Sequence, residues 1–132
     1  MDGGADMLAK GIRQLLMEAD AVVETVSVAD ARSLVGNEDV VFVDVRESQE
    51  RAQGYIAGSI HAPRGFLEFI ADPQAPMHDP AFSSGKRLIL YCGSGTRSAL
   101  AGRSLAEMGL TKLANLEGGF QAWVQAGGPC ER

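Results

Sequence analysis

Two runs of the sequence, Val40-Val41-Phe42-Val43 and Leu88-Ile89-Leu90-Tyr91, are apolar at every position except the tyrosine hydroxyl. A strand with one wet face alternates polar and apolar residues; a strand without alternation is covered on both faces. Two such strands in 132 residues demand helices above and below a shared sheet. Val22 to Val26 is β-branched and reads as a further short strand, and Leu113 to Leu116 as a last one. Gly58 to Ala62 is a short extended piece, because Pro63 keeps its predecessor out of helix.

The segments between the strands carry helix signals. Ser27 is a fair N-cap for Val28 to Leu34, and Gly36-Asn37 stops that helix. Ser48 to Gln53 is a short helix closed by Gly54, and Arg64 to Ile70 also reads as helix. Ser98 to Met108 is a helix stopped by Gly109; Phe120 to Ala126 is another, closed by Gly127-Gly128-Pro129. Asp72 to Pro80 holds three prolines and is a surface loop. Strands alternating with helices give an α/β fold, a central mostly parallel sheet flanked by helices on both faces, with right-handed connections.

The first 21 residues stand apart as an N-terminal helical extension, with one domain over 22–132. Met7 to Ala19 carries Leu8, Ile12, Leu15 and Leu16 at helical spacing, and the stripe is expected to pack on its own domain. Residues 1–6 are polar and glycine-rich, and fraying is expected there. The net charge of -5 and the lack of a basic stripe argue against nucleic acid, and the acidity argues against anionic membranes. No signal peptide or spanning segment can be drawn, so a reducing cytoplasm is the expected setting.

In open α/β sheets the site lies beyond the carboxyl ends of the strands. Two segments fall there: Asp44-Val45-Arg46 after one apolar run, and Cys92-Gly93-Ser94-Gly95-Thr96-Arg97-Ser98 after the other. The chain has two cysteines, Cys92 and Cys130. An ordinary thiol is only a few per cent thiolate at neutral pH. A helix N-terminus and the Arg97 charge are expected to lower the pKa of Cys92. Gly93 and Gly95 suit a loop that turns its amides inward, and Ser94, Thr96 and Ser98 offer hydroxyls. Taken alone, Cys92 is equally well a buried strand-end residue; with the glycines and Arg97 it reads as reactive.

Rival sites are weak. His61 and His78 are the only histidines, with no cysteine at ligand spacing, so neither metal nor cofactor is expected. A Cys92–His61 dyad stays open, but a preformed thiolate needs no base, and His61 is read as structural. Gly102-Arg103-Ser104 lies inside a helix and is too weak for a phosphate motif. Cys130, in the chain's tail, is either incidental or a thiol that resolves an oxidised or persulfidated Cys92.

Four segments in order resemble a rhodanese domain over roughly Val22 to Pro129. They are Asp44-Val45-Arg46-Glu47; Gly54-Tyr55-Ile56-Ala57-Gly58-Ser59-Ile60-His61-Ala62-Pro63-Arg64-Gly65; Tyr91-Cys92-Gly93-Ser94-Gly95-Thr96-Arg97-Ser98; and Leu116-Glu117-Gly118-Gly119-Phe120-Gln121-Ala122-Trp123 with Ala126-Gly127-Gly128-Pro129. The resemblance implies a sulfurtransferase: Cys92 takes a sulfane sulfur from a donor, carries it as a persulfide, and passes it to cyanide or a thiol, small or on a protein. Gly93 to Ser98 would bind the persulfide, and Asp44 and Arg46 would brace the rim or meet substrate. The donor stays open between thiosulfate and a 3-mercaptopyruvate-like compound. A monomer or weak homodimer is expected.

Other readings are a non-catalytic or complex-dependent sulfur-relay module and, less favoured, a phosphatase. Related phosphatases of the cell-division-cycle type have five residues between cysteine and arginine. Here four separate Cys92 from Arg97, a smaller ring that suits sulfur and crowds a tetrahedral phosphate. The sequence departs from the family pattern at Arg51, where an aromatic residue often follows the glutamate matched by Glu50. It departs again at Tyr55, where histidine is common.

Overall fold

The computed structural model describes residues 7–132; the fraying expected for residues 1–6 falls outside them. The main sheet contains β1 (Glu24–Val26), β2 (Val40–Asp44), β4 (Ile60–His61), β5 (Arg87–Tyr91) and β6 (Leu113–Leu116). Its order is β1-β6-β5-β2-β4, with every pairing parallel. The two apolar runs are β2 and β5, paired in register from Val40 with Arg87 to Asp44 with Tyr91. β5 is the central strand with β2 beside it, and core packs against both faces of the sheet there, which is why neither has a polar face.

Alternation along β5 splits the core in two. Leu88, Leu90 and Cys92 point to one face, where they join Val23, Val43, Leu67, Ala101 and Leu105. Ile89 and Tyr91 point to the other, with Phe42, Ile56, Leu116 and Trp123. The first face is covered by α1 (Ile12–Val22), α4 (Leu67–Ala71) and α5 (Thr96–Glu107), the second by α2 (Val28–Arg32) and α6 (Gly119–Gln125). A short α3 (Ser48–Arg51) follows β2.

The expected helices are present with shifted ends. Ser27 caps α2 by accepting from the Asp30 amide at 3.1 Å. The N-terminal helix starts at Ile12 rather than Met7, because Gly11 takes the extended cap position. Its stripe is only partly covered: Leu15 and Leu16 are half-buried, while Leu8 and Ile12 are exposed. Ala19 and Val23 carry the packing, and Val23 meets α5 at Gly102, where an added Cβ would lie 2.9 Å from a Val23 methyl. Glu18 joins the same contact through Arg103, at 2.8 Å.

Two strands went unrecognised: β3 (Tyr55–Ile56) and β7 (Cys130–Glu131), which pair antiparallel in a separate ribbon. Two residues are too few to show a period. The ribbon anchors the tail, with Ala57 N–H donating to Pro129 O at 3.1 Å and Trp123 Nε1 to the same oxygen at 3.0 Å. Cys130 is therefore held in β7, exposed, rather than loose in the tail. Among the described residues no helix is long and apolar enough to cross a membrane.

Candidate active site

Cys92 is the first residue beyond β5, and its side chain is fully buried at the floor of the following turn. Gly95 has φ +103, and this left-handed residue turns the chain sharply into α5. The helix thus begins at Thr96, two residues earlier than the sequence suggested, so Thr96 and Arg97 join Ser98 in its first turn rather than lying in a loop. No side chain caps that end. Its unpaired amides and the positive end of the helix dipole are left for the sulfur.

Gly95 N–H donates to Cys92 Sγ at 3.1 Å, and the Ser98 hydroxyl lies 3.4 Å from the same atom. Burial pushes the thiol pKa up. The Ser98 hydroxyl and the amides of Ser98, Gly95 and Ser94 more than offset burial, and the net shift is downward. Ser94, Thr96 and Arg97 are exposed around the mouth.

Arg97 differs from expectation. Both terminal nitrogens of its guanidinium bond the Glu50 carboxylate, each at 2.8 Å. Its charge is thus matched by a carboxylate; the guanidinium still interacts with Cys92, but the amides and the Ser98 hydroxyl lead in lowering the thiol's pKa. The pair holds the Glu50 carboxyl down at about 2. Glu50 is itself fixed by a capping box, its Oε1 accepting from Glu47 N–H at 3.0 Å.

Asp44 and Arg46 form a buried ion pair. Arg46 Nε and Nη2 each donate to an Asp44 oxygen at 2.9 Å, and Nη2 also reaches Gly54 O at 2.8 Å. The guanidinium lies 4.3 Å from the centre of the Phe120 ring. Arg51, where the family often has an aromatic residue, donates to Asp44 at 3.2 Å and to Ser59 O at 2.7 Å, and stacks on Tyr55. These two departures from the family pattern thus interlock. His61 Nε2 donates to Arg46 O at 2.8 Å, a bracing role. His78 bonds Ile70 O and Ser83 Oγ. Tyr91 OH meets Ser59 Oγ at 3.0 Å and accepts from Ile56 N–H at 3.1 Å; burial leads in pushing its pKa up to about 12.

Three contributors were not singled out from sequence. Asn115 is a buried polar residue inside β6; its Nδ2 donates to Gly95 O at 2.9 Å, and its Oδ1 lies 2.6 Å from Ser98 Oγ. A hydroxyl has one proton, so the sulfur and Asn115 compete for that of Ser98. A polar side chain in the otherwise apolar run Leu113-Ala114-Asn115-Leu116 was the available signal. Glu50 gave none, since its partner lies 47 residues away. Third, the N-terminus of α6 clasps the cysteine turn from behind: Phe120 N–H donates to Cys92 O at 2.8 Å and Gln121 N–H to Gly93 O at 3.1 Å. The turn's carbonyls are thereby directed to α6 while its amides face the sulfur.

The larger clefts lie elsewhere. One of about 430 Å³, lined by Ala71, Phe82, Met108 and Leu110, sits at the far end of α5. Distance from any buried thiolate or convergent donors makes it a poor candidate site.

A buried cysteine whose sulfur accepts from a turn amide at the carboxyl end of a parallel strand, with a helix starting directly after it, is the frame of this α/β domain. Residues 27–126 match the Rhodanese-like domain family, and the chain belongs to it. A sulfurtransferase of Allochromatium vinosum is 32% identical over 75% of this chain and 85% of its own. A thiosulfate:glutathione sulfurtransferase of Saccharomyces cerevisiae is 34% identical over 80% of this chain and 81% of its own. A solved structure from Rhodopseudomonas palustris, described as a protein of unknown function and possible tyrosine phosphatase, is 45% identical with a TM-score of 0.89. It covers 95% of this chain and 97% of that one. A rhodanese-related protein of Thermoplasma volcanium superposes with a TM-score of 0.65 at 29% identity, over 82% of this chain and 97% of that one.

Proposed function

We propose that this chain is a sulfurtransferase that carries sulfane sulfur as a persulfide on Cys92. The observation that carries the reading is the set of donors around the Cys92 sulfur, which lower its pKa. The thiolate attacks the donor's outer sulfur. The donor's bond to that sulfur breaks, and the leaving group keeps the electron pair: sulfite from thiosulfate, or the pyruvate enolate from 3-mercaptopyruvate. The amides and Ser98 then stabilise the negative charge of the bound persulfide. An acceptor thiolate, small or on a protein, or cyanide in the test tube, attacks the terminal sulfur. Cys92 departs as a thiolate, ready for another cycle. The reading places the protein in a reducing cytoplasm as a monomer or weak homodimer.

The test is intact mass after incubation with thiosulfate or 3-mercaptopyruvate. Wild type should gain one sulfur and Cys92→Ser none; no gain from any sulfane donor would sink the reading. A complex-dependent relay module is separated by deleting residues 1–19: unchanged turnover and unchanged monomer argue against a docking role for α1. Phosphatase action is disfavoured on two grounds. Four residues, not five, precede Arg97, and Glu50 occupies the guanidinium that a phosphate would need. Cys92-dependent hydrolysis of an aryl phosphate would reverse that judgement.

A further inference from the structure

Among the described residues, Arg46, Arg51 and Arg97 lie around the cysteine turn, and each pairs with a carboxylate. Arg46 and Arg51 both bond Asp44, and their side chains are only 5% and 18% exposed. Arg97 is the cation at the mouth among the described residues, and Glu50 holds it in a two-pronged pair. The pair lies over the turn: a Cβ added at Gly93 would sit 3.3 Å from Arg97 Nη2. Glu50 is not a loose partner. The capping box anchors its carboxylate to the start of α3, and a carboxyl pKa near 2 keeps the pair charged throughout the neutral range. Glu47 and Glu117 are exposed nearby, the first capping α3 and the second preceding Gly118, whose nitrogen lies 3.5 Å from a Cβ built on Gly95.

We propose that Glu50 selects against dianionic sulfur donors, so that Cys92 takes its sulfur preferentially from monoanionic or neutral sulfane compounds such as organic thiosulfonates and persulfides. The proposal rests on the sulfurtransferase reading and specifies its donor class. A dianion at the mouth must either pull Arg97 away from Glu50 or lie beside the Glu50 carboxylate. Either penalty grows with donor charge. The mouth is open to water, so one unit charge a few ångströms away acts through a high dielectric and changes a rate by about tenfold.

The experiment compares two donors that react alike and differ by one charge. With thiosulfate, the Cys92 thiolate bonds the outer sulfur, the S–S bond breaks, and sulfite leaves with the electron pair. With the methanethiosulfonate anion, the same bonds form and break, and methanesulfinate leaves. Rates of sulfur gain are read by intact mass for wild type, Glu50→Gln and Arg97→Gln. Glutamine is also accepted at the third position of a capping box, so Glu50→Gln keeps the start of α3.

Glu50→Gln should raise the thiosulfate-to-thiosulfonate rate ratio about tenfold. The thiosulfate rate should also become salt-sensitive, falling as ionic strength rises. Releasing Arg97 raises the thiolate fraction as well, but equally for both donors, so that effect cancels in the ratio. Arg97→Gln should move the ratio the opposite way. A ratio that stays within about twofold in Glu50→Gln overturns the donor selection while leaving sulfur transfer standing; no sulfur gained by wild type from either donor overturns both.

Discussion

Gly119 offers the sharpest test of how the cysteine turn is held. It has φ +61, and a Cβ there would lie 2.6 Å from Cys92 O and 2.7 Å from Gly93 C and O. Gly119→Ala therefore incurs two penalties. The left-handed backbone costs an alanine about 1–2 kcal/mol. The cysteine turn must also retreat by roughly 0.8 Å to restore a contact near 3.4 Å. That movement strains the two bonds from Phe120 and Gln121 N–H, each contributing about 1 kcal/mol. The total loss is about 3–4 kcal/mol, a large share of the ~5–15 kcal/mol of a typical domain. Because a displacement near 1 Å at a reacting centre costs roughly a hundredfold in rate, sulfur uptake should fall by one to two orders of magnitude. The control is Gly36→Ala, where φ is +82 and nothing lies within 4 Å of the added Cβ. It should lose only about 1–2 kcal/mol and keep its rate. Urea midpoints give the stabilities, and intact mass against time gives the rates. If Gly119→Ala matches Gly36→Ala on both measures, α6 does not hold the turn.

Two further outcomes follow from the site. Ser98→Ala removes the leading contribution to the lowered Cys92 pKa. The rate of sulfur uptake rises with pH as thiolate forms, so the midpoint of that rise should move to higher pH and the neutral-pH rate should fall several-fold; an unmoved midpoint would show that the amides act alone. Asp44→Ala leaves the buried Arg46 without its carboxylate. It should destabilise the fold by about 3–5 kcal/mol in urea unfolding, and a loss under about 1 kcal/mol would mean that Arg46 finds water instead.

Much of this architecture was legible without coordinates. The unbroken apolar character of Val40 to Val43 and Leu88 to Tyr91 follows from burial on two faces, a requirement each strand meets by itself. Ser27 announced α2 because capping is local. Cys92 and its glycines were recognisable because strand, turn and helix are contiguous there. The two-residue β3 and β7 were not, since the only warrant for either is the other, 74 to 76 residues away by register.

The sequence by itself determined a covered parallel sheet, a cysteine at its carboxyl rim, and a turn that leads straight into a helix. Tertiary structure alone decided the charge of that turn. Arg97 by its position belongs to the cysteine, but folding places Glu50 of α3 against it. Asn115 of β6 and the start of α6 arrive from the opposite direction to orient Ser98 and the turn's carbonyls. A hydrogen bond or ion pair depends on separation in space, and side chains distant along the chain carry no local mark of their eventual partners. What the fold adds to Cys92 is therefore a set of neutral dipoles that lower its pKa, beside an arginine already paired with a carboxylate.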